Sequence, residues 1–223
     1  MKKILVINPG STSTKIAFYH DGEQVWKESI EHDAAEIKKY TVIYDQKEMR
    51  TALVLQALAD HGEKISELSG VVARGGLLPS YTDPESGTVT TVASGAYEVT
   101  PALIEALRDR PVNHHASNLG CAIAYEIAQQ AGVKAYIYDP VTVDELIDLV
   151  RITGLKDVRR VGQAHNLNMR AAAMKVCREK GIDYYGSNIV VAHLGGGITM
   201  SLHSNGCICL LYTSDAADDS LRV

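Results

Sequence analysis

The stretch Lys3-Ile-Leu-Val-Ile-Asn-Pro-Gly-Ser-Thr-Ser-Thr-Lys-Ile-Ala-Phe-Tyr19 decides how the rest of the chain is read. Ile4–Ile7 is an uninterrupted apolar run of β-formers, the pattern of a central strand covered on both faces. Pro9-Gly10 ends it, Ser11–Thr14 supplies small hydroxyl residues for a tight turn, and Lys15–Tyr19 resumes as a strand. His20-Asp-Gly-Glu23 then predicts a second hairpin into Gln24–Ile30, which makes the N-terminus a three-stranded meander. A similar unit recurs far downstream: Ile189–Ala192 reads as a buried strand, His193-Leu-Gly-Gly-Gly197 as a glycine turn, and Ile198–His203 as the returning strand.

Between these units helices and strands alternate. Lys47–His61 is helix-like and Ser69–Ala73 is a short buried strand running into Arg74-Gly75-Gly76. Residues 77–98 are punctuated by Pro79, Pro84, Gly87 and Gly95 and carry two short β-like pieces. Thr100-Pro101 has the form of an N-cap followed by proline at the first helical position, opening a helix to Arg108. Ser117–Ala131 predicts a helix stopped by Gly132, Ala135–Tyr138 a buried strand stopped by Asp139-Pro140, and Val143–Val150 a further helix. Asn166–Lys180 is helical again, with Gly181 at its end. This alternation predicts an α/β fold. The domains expected are an N-terminal one over 1–148 and the start of a second over 149–206. In residues 207–223, Cys207–Tyr212 has no polar partner pattern and Thr213–Val223 no packing face, so the segment reads as a tail left by a cloning scar or by mistranslated read-through.

Composition narrows the function classes. Over 223 residues the chain is 46% hydrophobic and 22% charged, which suits a globular protein and excludes collagen-like or wholly disordered ones. A net charge of −5 supplies no basic footprint for nucleic acid or an anionic membrane. No window approaches the roughly 20 apolar residues of a transmembrane helix. Cys121, Cys177, Cys207 and Cys209 lack zinc-site or paired spacing, so a reducing, cytoplasmic setting is expected.

The chemistry must lie in the two turns. Small or glycine residues at a hairpin tip let backbone N–H groups approach an anion, a phosphate nest, although a hairpin needing glycine for its geometry has the same look. Neither turn is a Walker loop or a Rossmann fingerprint. Asp139 before Pro140 also suits a plain turn, and His165 a plain helix start. His20, His32, His61 and His203 read as structural, Arg159-Arg160 as a solvated pair, and Cys177 as packing.

Taken together the motifs say more. Asn8-Pro-Gly-Ser-Thr-Ser-Thr-Lys15 resembles the first phosphate motif of the acetate and butyrate kinase family, within the actin/Hsp70/sugar-kinase superfold (ribonuclease H-like domains), and His193-Leu-Gly-Gly-Gly197 resembles the second. Arg74-Gly-Gly, His114-His-Ala-Ser-Asn118, Tyr138-Asp-Pro140 and His165-Asn-Leu-Asn168 fall between them in that family's order. The resemblance covers residues 1 to about 206 and leans toward the butyrate kinase branch. It implies transfer of the ATP γ-phosphoryl group to a short-chain carboxylate such as butanoate, with ATP and magnesium as cofactors. It implies Asn8 by the metal, Ser11, Ser13, Lys15, His193, Gly195, Gly196 and Gly197 on the ATP phosphates, and His165, Asp139 and Arg74 as catalytic groups. Arg74, His114 and Asn118 would meet the carboxylate, and the complete protein would be a homodimer or higher oligomer without nucleic-acid or membrane partners. Three alternatives stand beside this reading: a fragment that binds nucleotide without turnover, a kinase for acetate, propionate or branched acids, and a sugar or glycerol kinase.

Overall fold

The computed structural model describes residues 1–82, 84–85, 89–156, 158–194 and 198–214. The chain divides into two compact units, Met1–Ser80 with Gly95–Pro140, and Tyr81–Ser94 with Val141–Val223. The division therefore falls at Pro140, eight residues before the boundary expected from sequence, and a short excursion of the chain belongs with the second unit.

In the first unit the predicted meander forms. Strands β1 (Lys3–Pro9), β2 (Ser13–His20) and β3 (Glu23–Glu31) run antiparallel, with β2 and β3 joined at Asp21-Gly22, where both residues take the positive φ that such a turn demands. Strand β4 (Gly70–Arg74) adds parallel to β1, and β8 (Ala135–Tyr138) parallel to β4. With β7 (Ala96–Glu98) antiparallel at the edge, the sheet order is β3-β2-β1-β4-β8-β7. The first helix, α1 (Ala34–Ile37), is a single turn capped by the Asp33 carboxylate. Helix α2 (Lys47–Asp60), helix α3 (Pro101–Asp109) and helix α4 (Leu119–Ala131) follow. Thr100 caps α3 through Oγ1, with Pro101 at its first position, and Gly132 ends α4 in the left-handed region at φ 69°.

Helix α4 is buried through most of its length and packs on β1, β4 and β8, touching α2 and α3 at its sides. Leu5, Ile7, Val71, Ala73 and Ile137 from the sheet meet Leu119, Ile123, Ala124 and Ile127 in this core. The opposite face of β1 (Ile4, Val6, Asn8) is only half-buried, so the strand is less enclosed within these residues than its apolar run suggests.

The second unit has its own meander. Strand β9 (Asn188–Leu194), β10 (Ile198–Ser204) and β11 (Cys207–Ser214) form an antiparallel sheet in the order β11-β10-β9. Helix α5 (Asn166–Lys180) packs against β9 through Ala173 and Cys177 and ends at Gly181 with φ 65°. The excursion supplies the small pair β5 (Tyr81–Thr82) and β6 (Val89–Thr90). Two expectations are corrected here. Residues 207–214 are a strand whose Ile208, Cys209 and Leu211 are buried, because Asn205-Gly206 turns the chain back with positive φ at both positions. The remainder, 215–223, lies outside the described residues. The helix expected over 143–150 is replaced by a bridge from Val143 to Val92 and one 3-10 turn at Asp148–Arg151. The cause is the buried Asp144: its carboxylate accepts from Arg151 twice at 2.7 Å and from the Leu146 and Gly162 backbone N–H groups, bonds that a regular helix would break.

Candidate active site

In the first unit the candidate residues converge because of strand register. Ile7 pairs with Ala73, and Ala73 with Ile137, so Asn8, Arg74 and Asp139 all emerge at the C-terminal ends of the parallel strands β1, β4 and β8. That end of a parallel sheet is where open α/β folds bind ligands. Asn8 also faces Lys15 across the β1–β2 ladder, and the two line a groove of about 470 Å³ with Val6, Ala17, Lys27 and Ser29.

The turn between β1 and β2 is closed by the Gly10 N–H donating to the Ser13 carbonyl at 2.7 Å. Ser11 stands exposed while Ser13 is buried. No residue of this turn has positive φ, so it is not an alternating left-handed nest; the donors it presents are hydroxyls, turn N–H groups and Lys15. Asn8 Oδ1 is buried with no hydrogen-bond partner among the described residues. An orphaned buried oxygen calls for a donor or a cation, and a hard oxygen of this kind suits magnesium or its water shell. Among the described residues no group of three or more His, Cys, Asp or Glu is placed to hold a metal ion.

Arg74 is half-buried, its guanidinium pKa lowered by burial, with no ion pair among the described residues to neutralise it. Its backbone is pinned on both sides. A Cβ on Gly75 would sit 2.8 Å from Pro140 Cα, one on Gly76 would sit 2.5 Å from Asn118 Oδ1, and one on Gly120 would sit 2.7 Å from the Arg74 carbonyl. The Arg-Gly-Gly stretch is thus glycine-rich because α4 and Pro140 leave room for nothing larger. Asp139 is 2% exposed at φ 40°, a strained position for a non-glycine residue, and holds Gly95 from both sides: its Oδ1 accepts from the Gly95 N–H at 2.9 Å, and its own N–H donates to the Gly95 carbonyl. Strain of this sort is maintained where a side chain must be aimed.

Two sequence expectations change in detail. Asn118 Oδ1 accepts from the Leu77 N–H and its Nδ2 donates to the Asn113 carbonyl, both at 2.9 Å. With Asn118 itself 5% exposed, the amide staples the loop after Arg74 to the start of α4 and is committed to backbone. Of the adjacent histidines, His114 is exposed, whereas His115 is half-buried, accepts from the Ser117 N–H, and has its pKa lowered by burial and by the charge of Arg74. His115 is therefore the histidine in Arg74's neighbourhood.

In the second unit His165 sits at the N-cap position of α5, with Nδ1 3.1 Å from the buried Thr199 hydroxyl on β10. Its ring stacks on that of His193 at 3.9 Å and 13°, and His193 Nδ1 lies 2.9 Å from the Asn168 amide. Two motifs distant in sequence, His165–Asn168 and His193, thus form one cluster. Thr199 and Asn168 were not singled out as ligands or supports; the i, i+3 spacing of His165 and Asn168 on a helix is the signal that links the latter. Gly195, Gly196 and Gly197 lie outside the described residues.

The chain is 42% identical over 205 residues to a protein of Coprothermobacter proteolyticus named as a probable butyrate kinase, and 41% identical over 206 residues to butyrate kinase 1 of Clostridium acetobutylicum. Each match covers 92% of this chain and 54% or 55% of the relative, so the chain spans about half the length of the curated relatives it matches. Among solved structures, the acetate kinase of Porphyromonas gingivalis matches at TM-score 0.67 with 20% identity, covering 96% of this chain and 58% of that one. A propionate kinase of Francisella tularensis matches at TM-score 0.64 with 12% identity and the same coverages. At such identities these two show the fold, which is that of the acetate and propionate kinases. No protein-family model matches.

Proposed function

We propose, for a chain that belongs with the acetate and butyrate kinases, transfer of the γ-phosphoryl group of ATP to a carboxylate oxygen of a short-chain acid, with butanoate as the preferred acceptor. One observation carries the reading: Asn8, Arg74 and Asp139 meet at the C-terminal ends of three parallel strands with Lys15 beside Asn8. The match to two proteins named butyrate kinase supports the choice of acceptor.

The carboxylate is already ionised at neutral pH, so it needs alignment and screening more than a base. Its oxygen forms a bond to the γ-phosphorus as the bond from that phosphorus to the bridging oxygen breaks, giving butanoyl phosphate and ADP. Arg74 would bind and orient the carboxylate, an ion-paired hydrogen bond that suits a half-buried guanidinium without an ion pair among the described residues. Lys15, Ser11 and Ser13 would hold ATP phosphates. His165, anchored through Nδ1 to Thr199, would donate to the transferring group, with His193 stacked behind it. Asp139, fixed by Gly95, would orient what lies before it. Magnesium, bound with ATP, neutralises phosphate oxygens, and Asn8 Oδ1 is the protein oxygen that would face its shell.

The test is acyl-hydroxamate formation from butanoate, ATP, magnesium and hydroxylamine, alongside calorimetric titration with ATP. Hydroxamate formed with butanoate in preference to acetate establishes the reading. ATP binding without hydroxamate establishes the second reading, a nucleotide-binding portion without turnover. Absence of ATP binding refutes both.

A further inference from the structure

Arg50 is the largest side chain that is fully enclosed in the first unit, at 0% exposure, and it lies on the buried stripe of α2 with Val54, Ala57 and Leu58. Its donors are spent on neutral oxygens. Nε and one terminal nitrogen donate to Gln46 Oε1 at 3.1 and 2.9 Å, and the other donates to Thr14 Oγ1 at 3.0 Å and the Ser13 carbonyl at 3.3 Å. Among the described residues no carboxylate pairs with it, and burial alone perturbs it, lowering its pKa. The neighbouring His32, which contacts Thr14 Oγ1 at 2.8 Å, has its pKa lowered by burial and then by Arg50's charge. A buried guanidinium without a counter-charge is costly, and proteins ordinarily pair it. Here the oxygens it grips belong to Ser13 and Thr14, the returning limb of the turn between β1 and β2.

We propose that Arg50 is a positioning residue for anion binding: it braces the Ser13–Thr14 limb from inside the core, and its missing counter-charge is the polyphosphate bound at Ser11–Lys15. This rests on the reading of that turn as the phosphate site. Arg50 touches no substrate. It acts by fixing the turn's donors and by leaving a positive potential under them, which an incoming phosphate chain satisfies.

Gln46→Glu tests the idea in place, because the new carboxylate keeps an acceptor where Oε1 stands and neutralises Arg50 without removing it. Inorganic tripolyphosphate and magnesium–ATP are titrated into wild type, Gln46→Glu, Arg50→Met and Lys15→Ala, with circular dichroism and thermal midpoints as controls of fold. Expected are dissociation constants about tenfold weaker for both ligands in Gln46→Glu, with an unchanged or higher midpoint, and a loss at least as large in folded Arg50→Met. A brace without an electrostatic role would leave Gln46→Glu binding like wild type, and that result overturns the proposal. So does unfolding of Gln46→Glu, since a paired buried charge should hold the turn at least as well as an unpaired one. Binding lost in Lys15→Ala but kept in Gln46→Glu overturns only the role of Arg50. Wild type that binds neither ligand overturns the phosphate-site reading, and this proposal with it.

Discussion

Replacing Asn118 by Leu separates a ligand-binding role from a structural one. The substitution keeps the volume while leaving the Leu77 N–H and the Asn113 carbonyl without the partners they have at 2.9 Å. Leu77 is 7% exposed and Asn118 5%, so water cannot readily replace the bond to the Leu77 N–H, whereas Asn113 is exposed and its carbonyl can turn to water. An unsatisfied buried donor costs about 1–3 kcal/mol, which puts the loss at about 2 kcal/mol for the first unit. With a urea slope of about 2 kcal/mol per molar, that lowers the unfolding midpoint by about 1 M. The measurement is urea unfolding followed by far-UV circular dichroism and by Trp26 fluorescence, since that tryptophan lies in the first unit. Asn118→Asp serves as the companion: it retains an acceptor for Leu77 but loses the donor to Asn113, so its midpoint should fall between the two. A midpoint equal to wild type in Asn118→Leu, coupled to loss of carboxylate or nucleotide binding, would refute the staple and return Asn118 to the ligand.

Three further outcomes follow from the same geometry. Gly76→Ala puts a methyl group 2.8 Å from Asn118 Cα and 2.9 Å from a Leu107 methyl, so calorimetry should show a loss of about 1–3 kcal/mol; an unchanged melting point would mean that the loop has slack the structure does not display. Arg74→Gln should weaken carboxylate binding in the presence of ADP about tenfold or more, while ATP affinity stays within about twofold; equal losses for both ligands would assign Arg74 to the nucleotide. His203 is fully buried between Tyr184 and Ser201, and desolvation, then the charge of Arg170, lowers its pKa from 6.5 to about 4. The unfolded chain then binds the extra proton between those values, so the second unit keeps this contribution above about pH 6.5 and loses about 3 kcal/mol as pH falls toward 4. His203→Gln should flatten that portion of the stability–pH curve, and an identical slope in wild type and variant would disprove the assignment.

What could be seen in the sequence was what local chemistry dictates. The N-terminal meander follows from strand composition and Asp21-Gly22, and the Thr100-Pro101 cap and the Gly132 and Gly181 stops follow from backbone conformations that few residues adopt. The convergence of Asn8, Arg74 and Asp139 was legible only through motif order, since nothing in spacing reveals that β1, β4 and β8 are neighbours. What a local reading misses shares a cause in long-range polar bonds. Asp144 draws residues 143–150 out of a helix by accepting from Arg151 and Gly162, and Asn118 is diverted to backbone by Leu77 and Asn113. Arg50 is hard to see in the sequence because an arginine on a helix reads as a surface charge until its place on the stripe with Val54 and Leu58 is considered. The choice between His114 and His115 depends on one step of backbone direction before α4, which the pair of identical residues conceals.

The excursion at residues 81–94 has a consequence for the order in which the chain can be completed on the ribosome. Thr91 and Val92 bond to Asp144, and Val92 bridges to Val143, so this segment's partners are translated well after it. Residues 95–140, by contrast, close onto strands already made, with β8 adding to β4. At about 5–20 residues per second the excursion waits a few seconds, tethered at both ends to a unit that is assembling without it. During that interval β5 and β6 have only each other, and a two-stranded pair of two residues each does not persist alone. The nascent chain must therefore leave Thr91 and Val92 unsecured until Val143 and Asp144 have been made, a window in which a protease or a chaperone can meet them.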